Sequence, residues 1–222
     1  SKRSKRETAK VGFEQERPHE DKSTRVPQRD KLDYQLNIRQ RDDLTDKQKE
    51  LIELILRKET NVVFVAGPAG TSKTFLATLA GLQMLNQKRV SDILFLRSAV
   101  ESASRSIGFL KGEVNDKMEP YMRPLRDKLD EMLTKDQIDR LIKEGRVSTD
   151  LVNFMRGASF NARYLLVDEA QNLSARELTT ILTRVGKFSK IVLCGDPGQS
   201  DLTNGDRGGF LKMFGTFNDD ES

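Results

Sequence analysis

The stretch that most constrains this chain is Val62–Thr74, VVFVAGPAGTSKT. Five apolar or β-favouring residues, Val62, Val63, Phe64, Val65 and Ala66, run into a turn of small residues. That turn closes with Lys73 and Thr74 and opens a helical run. A buried strand, a glycine-rich loop and a helix start make a phosphate cradle. Gly67 and Gly70 let the backbone turn tightly around Pro68 and Ala69, so that the N–H groups of the loop through Thr71 and Ser72 point inward. Lys73 adds a positive charge, the helix N-terminus adds its dipole, and the Thr74 hydroxyl can hold Mg²⁺. The strict pattern has glycine before the lysine, where this chain has Ser72. A small-residue turn is also ordinary strand–helix punctuation, so the reading needs support from elsewhere in the chain.

Two later strand ends supply it. Tyr164–Val167, YLLV, runs straight into Asp168 and Glu169. A carboxylate near Mg²⁺ and a base for the attacking water are what a triphosphatase needs beside its cradle, and Asp168 and Glu169 suit these tasks in that order. Lys190–Leu193, KIVL, runs into GDPGQ, where Gly195 and Gly198 keep the backbone slim while Asp196 and Gln199 offer polar groups. A glutamine there can orient water or the γ-phosphate. The alternative is a plain Pro-Gly turn. Ligands of parallel sheets gather at the carboxyl ends of strands, which favours the functional reading.

A fourth strand is expected at Asp92–Leu96, ending in Arg97. Helical spacing appears at Phe75, Leu79 and Leu82, and at Leu178, Ile181, Leu182 and Val185 after the Ser174/Glu177 capping box. Strands alternating with helices predict an α/β fold with a mainly parallel sheet covered on both faces. Upstream, LTDKQKELIELIL predicts a helix over about 46–57. Thr45 and Gln48 have capping-box spacing, and the same Gln48 amide could instead read a purine edge. Residues 1–43 are polar and read as a basic arm, with a short strand at Tyr34–Ile38. Residues from about 98 to 162, broken by Gly108, Gly112, Pro120 and Pro124, read as a helical insertion on a core spanning 44–222. One helix is marked by Leu125, Leu129, Met132 and Leu133, and another by Ile138, Leu141 and Ile142 behind a Thr134/Gln137 box.

Composition removes several alternatives. With 222 residues there is room for one core and an appendage. No apolar run nears the roughly 20 residues a membrane span needs, so no membrane partner is expected. The single cysteine, Cys194, rules out an internal disulfide and fits a cytoplasmic setting. His19 is the only histidine, which leaves histidine catalysis or a zinc site without ligands. The net charge of +4 leans mildly toward a polyanion. No Asn-Lys-x-Asp guanine reader follows the last strand, which argues against a GTPase, and no further carboxylate cluster supports a nuclease.

GPAGTSKT, then RSAVESASRSIGFLKGEVNDKMEPYMRPL, then FNARYLLVDEAQNLSARELTTILTRVGKFSKIVLCGDPGQSDL resemble the PhoH-like ATPases, in the form carried by many bacteriophages. The resemblance covers about residues 45–213 in order. It implies a P-loop NTPase fold with a single RecA-like core related to superfamily 1 helicases. It implies ATP with Mg²⁺, in the cytoplasm of a bacterial host. Gln48, Lys73, Thr74, Asp168, Glu169 and Gln199 then take the roles given above, and Phe75 closes the cofactor-binding stretch that begins at Gly67. By the same likeness Ser98, Ala99, Val100 and Glu101 correspond to the helicase segment that grips a single strand, with RNA placed ahead of DNA. Ser72 departs from the family pattern, as does Ala158 where an arginine of an RNA contact is expected. The pattern would continue past Ser222 with another strand and helix.

One core lacks the second half that covers the γ-phosphate in such helicases. A hexameric ring, in which each homo-oligomer subunit caps its neighbour's nucleotide, would restore it. Arg184 and Arg207 are the expected trans arginines. The alternative is a weakly hydrolysing module whose nucleotide orders an oligomer around a partner.

Overall fold

The computed structural model describes residues 31–98, 114–152, 159–199 and 208–218, with side chains in its long helix from residue 121 onward. Five parallel strands form one sheet: β1 (Val62–Ala66), β2 (Asp92–Arg97), β3 (Val147–Leu151), β4 (Arg163–Val167) and β5 (Lys190–Gly195). Their order across the sheet is β1-β5-β4-β2-β3. The helices are α1 (Asp46–Leu56), α2 (Lys73–Asn86), α3 (Val114–Met132), α4 (Lys135–Lys143), α5 (Ala175–Leu182) and α6 (Gly209–Asn218). The α/β parallel-sheet architecture expected of the sequence is the one found.

Because side chains alternate along a strand, β1, β2, β4 and β5 each feed two cores. Val63, Val65, Ile93, Phe95, Tyr164, Leu166 and Val192 pack with α1–α4. Leu94, Leu96, Leu165, Val167, Ile191 and Leu193 pack with α5 and α6. β4 and β5 are buried on both faces, which is why they read as unbroken apolar runs.

Helix α2 lies directly on β4. Tyr164 is fully buried and donates from its hydroxyl to the Ala77 carbonyl at 2.6 Å. A Cβ at Gly81 would come within 2.8 Å of that ring. Gly81→Ala should therefore destabilise the fold by about 1–3 kcal/mol despite alanine's better helix propensity. Chemical denaturation would show this, and an unchanged midpoint would mean the ring has room to move.

The last turn of α1, before its C-cap Arg57, has no basic residue. Its last carbonyls are gathered from afar instead. Arg89 donates to Leu56 O at 2.6 Å, and Lys190, at the start of β5, donates to the Ile55 and Arg57 carbonyls. Burial pushes the Lys190 ammonium down to about 8.

Three expectations need correction. Tyr34–Ile38 is extended but forms no strand. Leu36 instead pairs with a side-chain amide, donating its N–H to Asn86 Oδ1 at 2.7 Å and accepting from Asn86 Nδ2 at 3.0 Å. With Leu32 and Leu36 buried in the core, this part of the arm is strapped along α2; residues 1–30 lie outside the described residues. Second, the segment expected as an insertion contributes β3, which pairs with β2 as an edge strand. VSTDL is polar in the middle, and only Val147 and Leu151 are buried, so it lacks the apolar signature of the other strands. Third, α3 runs through Pro120 and Pro124 without a break. Each interior proline costs a helix about 3 kcal/mol, about 6 for the two, and burying Leu125, Leu129 and Met132 at about 1.5–3 kcal/mol each offsets a cost of that size. Both helices expected there are present, as is the Thr134/Gln137 box. Helix α5 stops at Leu182, and Val185 bridges to Phe160 beyond it.

Candidate functional site: a phosphate cradle at three strand tips

The strand order places β5 between β1 and β4, so the three strand tips singled out in the sequence stand side by side at one edge. The sheet pairing continues into the site, with Gly67 N donating to Gly195 O at 3.2 Å. The cleft above these tips has a volume of about 370 Å³. Its wall includes Lys73, Thr74, Asp168, Glu169, Asp196 and Gln199. Ala69, Gly70, Thr71, Ser72 and Phe75 line it as well, while Gly67 and Pro68 contribute carbonyls from behind.

Helices α1 and α5 are closed by capping boxes. Helix α2 is not: its N-cap, Ser72, makes no side-chain bond to the helix. The first-turn N–H groups of α2 are thereby left to an anion. Ser72 adopts the left-handed conformation with φ 63°, beside Gly70 at φ 82°. This is the physical reason that the strict loop pattern has glycine before its lysine: a side chain there costs about 1–2 kcal/mol. Ser72→Gly should raise stability by about 0.5–1 kcal/mol, the gain being trimmed by glycine's larger unfolded-state entropy. A shift in the urea midpoint at constant slope would check it.

Lys73 Nζ donates to the Gly67 and Pro68 carbonyls at 2.7 and 2.8 Å, folded onto its own loop. Thr74 Oγ1 donates to Asp168 Oδ1 at 2.6 Å, so the two oxygens expected at Mg²⁺ are already together. A hydroxyl and one carboxylate suit Mg²⁺, which takes its remaining ligands from phosphates and water. Among the described residues no cluster of three or more His, Cys, Asp or Glu offers a complete protein-built metal site. Asp168 is 8% exposed. Burial raises its pKa, and the Thr74 hydroxyl and the Arg97 guanidinium, with Nε 3.9 Å from Oδ2, oppose the rise.

Glu169 stands in the left-handed region, at φ 52° and ψ 42°. Strain of this kind on a non-glycine residue persists only where the surroundings hold it, and such positions cluster at functional sites. Here the holder is Gln171. Its Nε2 donates to Glu169 Oε2 at 2.5 Å, and its Oε1 accepts from Asp196 N at 2.9 Å. A buried amide thus ties the tip of β4 to the tip of β5. Gly195 makes room for it, since a Cβ there would sit 3.2 Å from Gln171 Oε1 and 2.9 Å from the Phe210 ring. Asp196 completes the loop, with Oδ2 accepting from Ala69 N at 3.1 Å and Oδ1 from Gly198 N at 2.9 Å. Gln171 and Arg97 escaped the sequence reading because nothing local marks them. Asp196, which Gln171 accepts from, and Asp168, beside Arg97, lie at the tips of other strands.

The other expected residues fall as follows. Gln48 is used by the capping box, its Oε1 accepting from Thr45 N at 2.9 Å, and it is not part of the cleft wall. Phe75 is only 5% exposed and belongs mainly to the core. Gln199 lines the cleft from an exposed turn. Arg184 follows α5 and its carbonyl accepts from Phe160 N, at the end of the sheet away from its own cleft. Arg207, Ala158 and Ala99–Glu101 lie outside the described residues. Ser98 is buried, with Oγ donating to Asn172 O at 3.0 Å. Cys194 is buried beneath the loop, and burial pushes its thiol pKa well up, which keeps it inert.

Comparison with known proteins points to one family. A family model described as "PhoH-like protein" matches residues 41–222. A PhoH-like protein of Mycobacterium leprae is 39% identical over 165 residues, covering 74% of this chain and 46% of the relative. One from Bacillus subtilis is 39% identical over 152 residues, covering 68% and 47%. Protein PhoH2 of Bacillus subtilis is 36% identical over 159 residues, covering 70% and 36%. The chain therefore spans less than half the length of these curated relatives. With its parallel sheet, its phosphate loop on β1 and its acidic tip on β4, the chain belongs to the PhoH-like protein family of P-loop NTPases.

Proposed function

We propose that the chain binds ATP with Mg²⁺ and hydrolyses it, and that turnover is coupled to a single-stranded nucleic acid, RNA ahead of DNA. The observation that carries this reading is the gathering of Lys73, Thr74, Asp168, Glu169 and Gln199 around one cleft. Lys73 has only to leave two carbonyls of its own loop to meet β- and γ-phosphates. Thr74 and Asp168 would hold Mg²⁺, which supplies charge neutralisation on the phosphates when bound. Glu169, fixed by Gln171, takes the proton of the attacking water, and Gln199 orients that water from the neighbouring tip.

The nucleic-acid part rests on the family likeness of the segment after Arg97 and on a net charge of +4. The homo-oligomeric ring rests on the reading that a neighbouring copy closes over the cleft and completes the cover of the γ-phosphate. A cytoplasmic setting fits the one buried, reduced cysteine. Among the described residues no helix is long and apolar enough to cross a membrane.

A second reading, a slowly hydrolysing module whose nucleotide orders an assembly, is favoured by the strained Ser72 in the loop. Phosphate release with and without Mg²⁺ and single-stranded RNA separates the two. Mg²⁺-dependent release that rises severalfold with RNA supports the enzyme. Tight ATP binding with negligible release under every condition would support the module instead. Light scattering with ATP present tests the ring, which a persistent monomer would sink.

A further inference from the structure

A nucleotide whose phosphates rest on Lys73 and Thr74 must send its base past the start of α2, and there the cleft wall consists of Phe75, Arg41, Lys128 and Glu131. The Phe75 ring cannot receive a base itself, being buried and covered by the Arg41 guanidinium at 5.0 Å from its centroid. Gln48 is outside the wall, its carbonyl oxygen spent on the helix cap. Among the described residues of this wall Arg41 offers the remaining flat surface, and it is held well for a residue whose side chain is 40% exposed. Asp43 grips its edge with two hydrogen bonds, Nε to Oδ1 at 2.7 Å and Nη2 to Oδ2 at 2.8 Å. Glu131 Oε2 lies 4.0 Å from Nη1, and Glu131 is itself held by Lys128 at 3.0 Å. Carboxylates thus grip the edges of this planar cation, an aromatic ring lies under it, and the residue is part of the cleft wall.

Resting on the ATP-site reading above, we propose that this outer face of Arg41 is the stacking platform for the nucleobase. Guanidinium planes stack on bases as well as on aromatic rings, and a plane already fixed by its neighbours loses little freedom when a base arrives. Asp43 and Glu131 offset the charge of Arg41, so the platform recognises a flat π-system rather than a phosphate. It reads no base edge, and either purine should stack on it.

The test is titration of the full chain, in Mg²⁺, with ATP, GTP and inorganic tripolyphosphate, using wild type, Arg41→Ala and Arg41→Lys. Stacking on one side chain is worth about tenfold in affinity. Arg41→Ala should lose about that factor for ATP and for GTP while tripolyphosphate affinity stays within about twofold, which also shows the variant is folded. Arg41→Lys keeps the charge without the plane and should resemble the alanine variant. Equal losses for ATP and tripolyphosphate, a lysine variant that matches wild type, or no loss for ATP would each overturn the platform while leaving the triphosphate site intact. A wild-type chain that binds neither ATP nor tripolyphosphate would remove the site, and the platform with it.

Discussion

Replacing Glu169 with glutamine should lower kcat for ATP hydrolysis by about 10²–10⁴-fold, the usual contribution of a positioned general base. ATP affinity should be nearly unchanged, because the amide keeps the size of the carboxylate and its hydrogen bond to Gln171. Lys73→Ala should do the reverse at first sight, losing the triphosphate before chemistry can occur, so the two variants separate binding from turnover. Gln171→Leu should share part of the Glu169 defect. Gln171 touches no phosphate; it positions Glu169 in its left-handed backbone and ties it to Asp196 N. Its loss should therefore appear in kcat with little change in KM. A Glu169→Gln variant that releases phosphate at the wild-type rate would mean that another group activates the water.

Arg184→Ala and Arg207→Ala, made separately, test the capping of one subunit's nucleotide by the next. An arginine supplied in trans is worth about 10³–10⁵ in kcat, so the correct variant should be nearly inactive while still binding ATP. The Arg184 backbone follows the C-terminus of α5 and pairs with Phe160, just before β4 begins, at the end of the sheet opposite its own cleft, so a catalytic role for it would be on a neighbour's nucleotide. Mixing makes the prediction sharper. A Glu169→Gln subunit is dead at its own site but still offers its arginine, and an arginine variant has an intact site but offers nothing. Combined, the two should recover activity that neither has alone. No recovery, together with full activity in both arginine variants, would end the ring reading.

Much of the site was legible because its parts are local. Val62–Thr74 declares strand, loop and helix in thirteen consecutive residues, and Asp168 and Glu169 follow an apolar strand directly. The capping boxes at Thr45, Thr134 and Ser174 were equally plain, since their donors and acceptors are three residues apart. The polar edge strand β3 was not, because an edge strand need bury few of its side chains and so carries little apolar pattern.

By itself the sequence determined the α/β alternation, the small-residue loop after β1 and the acidic and glutamine-bearing segments that follow β4 and β5, since each depends on neighbours within a few residues. Only the tertiary structure decided the order β1-β5-β4-β2-β3, which brings Gln171 between Glu169 and Asp196, Arg97 behind Asp168, and Arg41 over Phe75. Apart from the bond between Gln171 and Glu169, those contacts join residues on different strands or far apart in the chain. Which strands become neighbours is set by how the helices cover both faces of the sheet, a packing balance that no short window of residues encodes.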